Sequence, residues 1–156
     1  MPDAARVPDT ALEDAYRYLS RRDRTVAEVR GHLEGRGAEP DAIDRAVAEL
    51  QEQGYLDDAR YARLFAEDRR SLDGWGPDRI VRRLAQVGVC EEHIAAALAD
   101  RGAEEEVAAA VAVLRQKLRV PPDDDRSRDR ALGLLARRGY GLELSYDAVR
   151  AFERGA

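Results

Sequence analysis

The sequence predicts an all-α protein of three tandem three-helix repeats, an expectation carried by composition, an internal register and the residues at helix ends. Of the side chains, 44% are hydrophobic and 37% charged, and only two are Phe; Ala, Leu, Glu and Arg dominate, a mixture that favours helix over sheet. Shifting the chain on itself by 51 residues superposes Leu33, Leu84 and Leu135, and likewise Gly37, Gly88 and Gly139. The same shift aligns Thr25, Gly76 and Ser127, then Val29, Ile80 and Ala131, then Val47, Leu98 and Val149.

Each aligned set has a physical meaning. Thr, Gly and Ser are acceptable N-caps, so helices are predicted to start after Thr25, Gly76 and Ser127. Thr25 and Glu28 form a capping box, and Pro77 suits the first helical position because its missing N–H would be unpaired there anyway. The glycines fit the left-handed position that closes a helix, predicting apolar contacts of Leu33 with Ala38, Leu84 with Val89 and Leu135 with Tyr140. After each glycine another helix begins, shown by Ile43, Val47 and Leu50 and again by Ile94 and Leu98 at helical spacing. Ser145 stands where an apolar residue belongs, so the last helix is expected to be shifted or frayed.

One further helix precedes each N-cap, over approximately 10–20, 58–72 and 104–118. The predicted organisation is a flexible N-terminus over 1–10 and three-helix repeats over 11–57, 58–103 and 104–156, in an elongated, curved arrangement. The stretch "RVPPDDD" at 119–125 is the longest joint and a hinge by composition.

The net charge of -5 excludes overall attraction to nucleic acid and requires a local basic patch for any such contact. The excess acid lies in 11–57, which carries seven basic against eleven acidic residues. Cys90 is the only cysteine, so no internal disulfide forms and a reducing, cytoplasmic setting fits. No apolar run has signal-peptide or membrane-span character, so neither export nor a membrane is expected.

Catalytic and metal readings find little to stand on. Asp57 and Asp58 are neighbours that point about 100° apart on a helix, whereas acid–base chemistry or a hard metal needs convergent groups. They read as a helix cap. Gly54 closes the preceding helix with Tyr55 packed on Leu50, Asp57 caps the next, and Leu56 and Tyr61 form a hydrophobic staple. Asp123, Asp124 and Asp125 lack the alternating spacing of a calcium loop. His32 and His93 occupy non-equivalent positions with no ligand partner at zinc spacing, and Cys90 has no basic partner for nucleophilic work. "GWGP" at 74–77 lacks the Lys and strand of a phosphate loop. No catalytic residue, cofactor or metal is expected.

The candidate partner-binding residues are therefore Arg69, Arg70, Arg79, Arg82, Arg83, Arg137 and Arg138, with Trp75. Arg79, Arg82 and Arg83 share one helical face away from Ile80 and Leu84, either as a solvated strip or as a contact for an acidic groove or phosphate. Trp75, between two glycines, either fills a gap between bundles or serves as an exposed aromatic anchor.

Together "GYLDDARYA" at 54–62, "GPDRIVRRLAQVGV" at 76–89 and "RALGLLARRGY" at 130–140 resemble the RecX family, from about residue 11 to the end. The resemblance implies three tandem three-helix repeats and a non-enzymatic regulator of RecA. Such a protein binds the RecA filament on single-stranded DNA and inhibits strand exchange and ATP hydrolysis. It also implies a cytoplasmic protein, expected to be a monomer, with weak contact to single-stranded DNA. Two other readings stay open: a tandem helix-turn-helix DNA-binding protein and a helical scaffold for an unrelated partner.

Overall fold

A computed structural model describes residues 9–155, and the flexible stretch expected over 1–10 falls largely outside them. Nine helices and no strand occur among the described residues. They are α1 Thr10–Leu19, α2 Val26–Gly35, α3 Pro40–Glu52, α4 Asp58–Asp73, α5 Pro77–Gln86, α6 Glu91–Leu98, α7 Ala103–Lys117, α8 Asp125–Arg138 and α9 Leu142–Glu153. By internal contacts the chain divides into two compact units, one reaching Tyr61 and including Val87–Val89, the other comprising Ala62–Gln86 and the chain from Cys90 onward.

In the first unit α1, α2 and α3 pack around Val29, Leu33, Ile43, Val47, Leu50 and Leu56. These residues recur at helical spacing, so each helix buries one stripe and leaves its charged face in water. Thr25 caps α2 as its sequence predicts: its hydroxyl accepts the N–H of Glu28 at 3.1 Å, and the Glu28 carboxylate accepts the N–H of Thr25 at 3.1 Å. Leu33 and Gly37 close the same helix, with the N–H of Ala38 on the Leu33 carbonyl at 3.1 Å and that of Gly37 on the Glu34 carbonyl at 3.0 Å. The same turn closes α3 at Gly54, yet Tyr55 does not settle on Leu50. It is 59% exposed and meets Tyr16 edge to face at 5.9 Å, while Leu56 takes the buried position.

In the second unit α4, α5 and α6 bury Ala62, Ala66, Ile80, Leu84, Ile94 and Ala97. Helices α7, α8 and α9 enclose a larger core of Val111, Leu114, Leu135, Tyr140, Val149 and Phe152. Ser145 is a buried member of α9, with its hydroxyl on the Tyr140 carbonyl at 3.4 Å, so that helix is neither shifted nor frayed. A serine tolerates this apolar site because a backbone acceptor lies within reach. Ser127 is not an N-cap either. Asp124 takes that place, accepting the N–H of Ser127 at 2.7 Å, and α8 begins two residues before Ser127. An aspartate caps as well as serine and also places its charge at the positive helix end.

Candidate functional site

The candidate site forms where the N-terminus of α5 meets the C-terminus of α8. The Gly76 N–H donates to the Arg138 carbonyl at 2.7 Å, and the Asp78 N–H to the Gly139 carbonyl at 2.9 Å. Donors that α5 leaves unpaired thus satisfy acceptors that α8 leaves unpaired. The approach requires glycine on both sides: a Cβ on Gly76 would lie 2.6 Å from the Gly139 oxygen, and one on Gly139, at φ +95°, would collide with Arg79.

This joint gathers the aromatic and basic residues singled out above. The Arg79 guanidinium lies 4.1 Å from the centroid of the Trp75 ring and donates to the Arg137 carbonyl at 3.1 Å. On the other side of the cluster, Arg69 lies 5.8 Å from the ring centroids of both Phe65 and Trp75 and pairs with Asp73. Phe65 meets the indole edge to face at 5.9 Å. Arg138 donates to the Asp73 carbonyl, and the Arg137 side chain is exposed. The indole is half-buried, with its backbone N–H on the Arg69 carbonyl at 3.1 Å. Trp75 is the hub on which two guanidinium groups converge.

Arg82 and Arg83 extend from this hub along the exposed face of α5. Arg83 reaches Gln86 at 3.4 Å, and the Arg82 head group makes no hydrogen bond or ion pair with a described residue. Arg70 departs from the expectation of a surface group: only 5% of its side chain is exposed, and it is bound to Asp100 at 2.8 Å and Glu106 at 3.3 Å. Its head group is on the inner side of α4, where two carboxylates compensate a charge that burial would otherwise expel. The Arg70 hydrogen bond, its charge and that of Arg101 together hold Asp100 below the usual carboxylate range. Tyr140, nearby, is pushed above the ordinary phenol value by burial and then by the charge of Glu106.

Sequence reasoning missed Arg101, Glu106 and Lys117, which come to this region from the start and end of α7. One signal was available: Lys117 is the only lysine among 26 basic residues. Among the described residues no group of three His, Cys, Asp or Glu is placed to hold a metal ion. His32 is stacked on Tyr18 at 4.0 Å, and Cys90 is exposed at the start of α6. No described helix is long and apolar enough to cross a membrane.

Two family models match the chain: the first three-helix domain of RecX over 11–50 and the second over 57–98. The regulatory protein RecX of Mycolicibacterium smegmatis is 35% identical over 161 residues, covering 96% of this chain and 86% of its own. That of Mycobacterium ulcerans is 36% identical over 138 residues, covering 86% of this chain and 80% of its own. The crystal structure of RecX from Lactobacillus salivarius superposes with a TM-score of 0.78 at 19% identity, over 92% of this chain and 95% of that one. That structure shows a shared fold, and the mycobacterial relatives establish kinship in sequence. The chain belongs to the RecX family of regulatory proteins.

Proposed function

We propose that this protein is a non-enzymatic, cytoplasmic regulator that binds the RecA filament on single-stranded DNA and inhibits its recombinase and ATPase activities. The observation that carries the reading is the exposed arginine surface spreading from Trp75, in a protein of the RecX family. Arg82, Arg83 and Arg137 are its outward groups, and Arg69, Arg79 and Arg138 hold the platform beneath them. Arg70 belongs to the interior and is withdrawn from the contact set. Net charge is -5, so the arginines act by local complementarity to an acidic protein groove; any contact with single-stranded DNA is weak and secondary. The protein acts as a monomer, with several modest contacts along neighbouring RecA protomers adding to one another. The deciding experiment is titration of the cognate RecA ATPase on single-stranded DNA. Wild-type protein lowers the rate in a saturable manner, and a rate unchanged at saturating protein rejects the proposal.

A further inference from the structure

The second compact unit contains a cleft of about 760 Å³ between the C-terminal turn of α4, the loop leading to α5 and the outer face of α7. Five cationic side chains line it, from Arg70, Arg79, Arg101, Lys117 and Arg138, against the single carboxylate of Asp73. That carboxylate is already paired with Arg69. Lys117 is exposed and makes no hydrogen bond or ion pair with a described residue, and the nearest described carboxylate oxygen to Arg101 is that of Glu106 at 3.8 Å, beyond hydrogen-bond distance. Arg70 is already neutralised by Asp100 and Glu106. Its side chain is 95% buried, both terminal nitrogens are engaged, and its Nε is buried with no acceptor. The Glu106 Oε2 is likewise buried without a hydrogen bond, so this cluster is structural, and the cations left for a ligand are Arg79, Arg101, Lys117 and Arg138.

We propose that this cleft binds a small ligand carrying linked phosphate groups, the chemistry shared by inorganic polyphosphate and nucleoside polyphosphates. The volume falls within the roughly 300–1,000 Å³ of small-ligand sites. Guanidinium forks and an ammonium group converging on one space suit an anion with several closely spaced oxygens. Linked phosphates concentrate charge in that way, whereas the carboxylates of an acidic peptide carry one charge each and are spread along the backbone. Gln116 offers a neutral hydrogen-bonding group on the α7 side. The inference rests on this unit alone and is independent of any action on RecA.

Trp75 lines the cleft and is the only tryptophan of the chain, so its fluorescence reads occupancy directly. The full-length protein is titrated with tripolyphosphate, with ATP in the absence of divalent cations, with oligothymidylate and with hexaglutamate. Tripolyphosphate gives a saturable change. Saturation by ATP as well assigns the site to nucleotides, and saturation by tripolyphosphate alone assigns it to inorganic chains. Lys117→Glu, at an exposed position, and Arg101→Gln each weaken tripolyphosphate binding by roughly tenfold, the loss of one charge-assisted contact. Arg82→Glu leaves binding unchanged. No saturable response to tripolyphosphate overturns the proposal, as does a response confined to oligothymidylate or hexaglutamate or one indifferent to Lys117→Glu in a variant of unaltered melting temperature.

Discussion

The Asp57 carboxylate accepts the N–H of Arg60 at 3.0 Å, in its own helix, whereas that of Asp58 accepts the N–H of Val26 at 3.0 Å, the first residue of α2. Adjacent acids therefore cap two different helices, the second use being invisible along the chain. Asp57→Ala lowers stability by about 1 kcal/mol through the lost cap. Asp58→Ala does so by a similar amount, about 1 kcal/mol, through the unpaired Val26 N–H; chemical denaturation of both variants measures each. Tyr140 supplies a pH dependence. Its phenol is raised in the folded state by burial, so its contribution to stability is complete below the unfolded value of 10.0 and is lost as pH climbs toward the higher folded value. Melting temperature falls above that pH, and Tyr140→Phe makes the alkaline decline shallower. Asp100 has the opposite sign. Its folded pKa is depressed chiefly by Arg70, so its contribution is present above 3.8 and disappears on further acidification.

At the scale of elements, the 51-residue register extends to the way helices meet. The Thr25 hydroxyl donates to the Val87 carbonyl at 2.5 Å, and 51 residues later the Gly76 N–H donates to the Arg138 carbonyl at 2.7 Å. Gly88 and Gly139, 51 residues apart, each leave no room for a Cβ, though the neighbour differs by one position: Ala27 against Gly88, and Arg79, next to the equivalent Asp78, against Gly139. Even the exception is consistent. Val26 has an N–H that needs Asp58, whereas the equivalent Pro77 has none and the residue equivalent to Asp58 is Ala109. Gly37 shares the positive φ, at +82°, but nothing lies within 4 Å of its Cβ position. Gly37→Ala therefore costs only about 1 kcal/mol of backbone strain. Gly139→Ala adds a steric clash with Arg79 and lowers stability by several times as much, about 2–4 kcal/mol. Urea denaturation of the pair separates the two terms; equal losses would contradict the close packing at the α5–α8 joint.

For the molecule as a regulator, the relevant comparison is between charges that are engaged and charges that are free. The Arg82→Glu/Arg83→Glu variant alters exposed positions with no core role, so its melting temperature stays within about 1 °C of wild type, while under the proposed function inhibition of the RecA ATPase weakens by tenfold or more. Charge reversal at the buried Arg70 does the reverse first. It places a second carboxylate beside the buried Glu106, with the exposed Asp100 close by, and the loss of about 3–5 kcal/mol is read as a lower denaturation midpoint before any activity is measured. Full inhibition by the Arg82→Glu/Arg83→Glu variant removes that face from the contact surface.

Much of this was legible in the chain because the signals are local. Helix starts at Thr25 and Pro77, the closing glycines and the apolar stripes each follow from pairing the end groups of one helix and burying one of its faces, which depends on residues a few positions apart. Ser127 and Ser145 were misread for the same reason: Asp124 competed for the cap, and a carbonyl supplied by the preceding turn made a buried hydroxyl tolerable. The helical composition and the register of the repeats were thus determined by sequence alone. Only the tertiary structure decided the fate of each charge. Arg69 and Arg70 are neighbours of one residue type, yet one lies against Trp75 and the other is sealed between Asp100 and Glu106. A helix displays its side chains in all directions: Arg69 meets Phe65, Asp73 and Trp75, all within six positions, whereas Arg70 meets Asp100 and Glu106, 30 and 36 positions away. Desolvation then separates a structural arginine from an available one, and the cleft at Lys117 exists only because distant parts of the chain converge there.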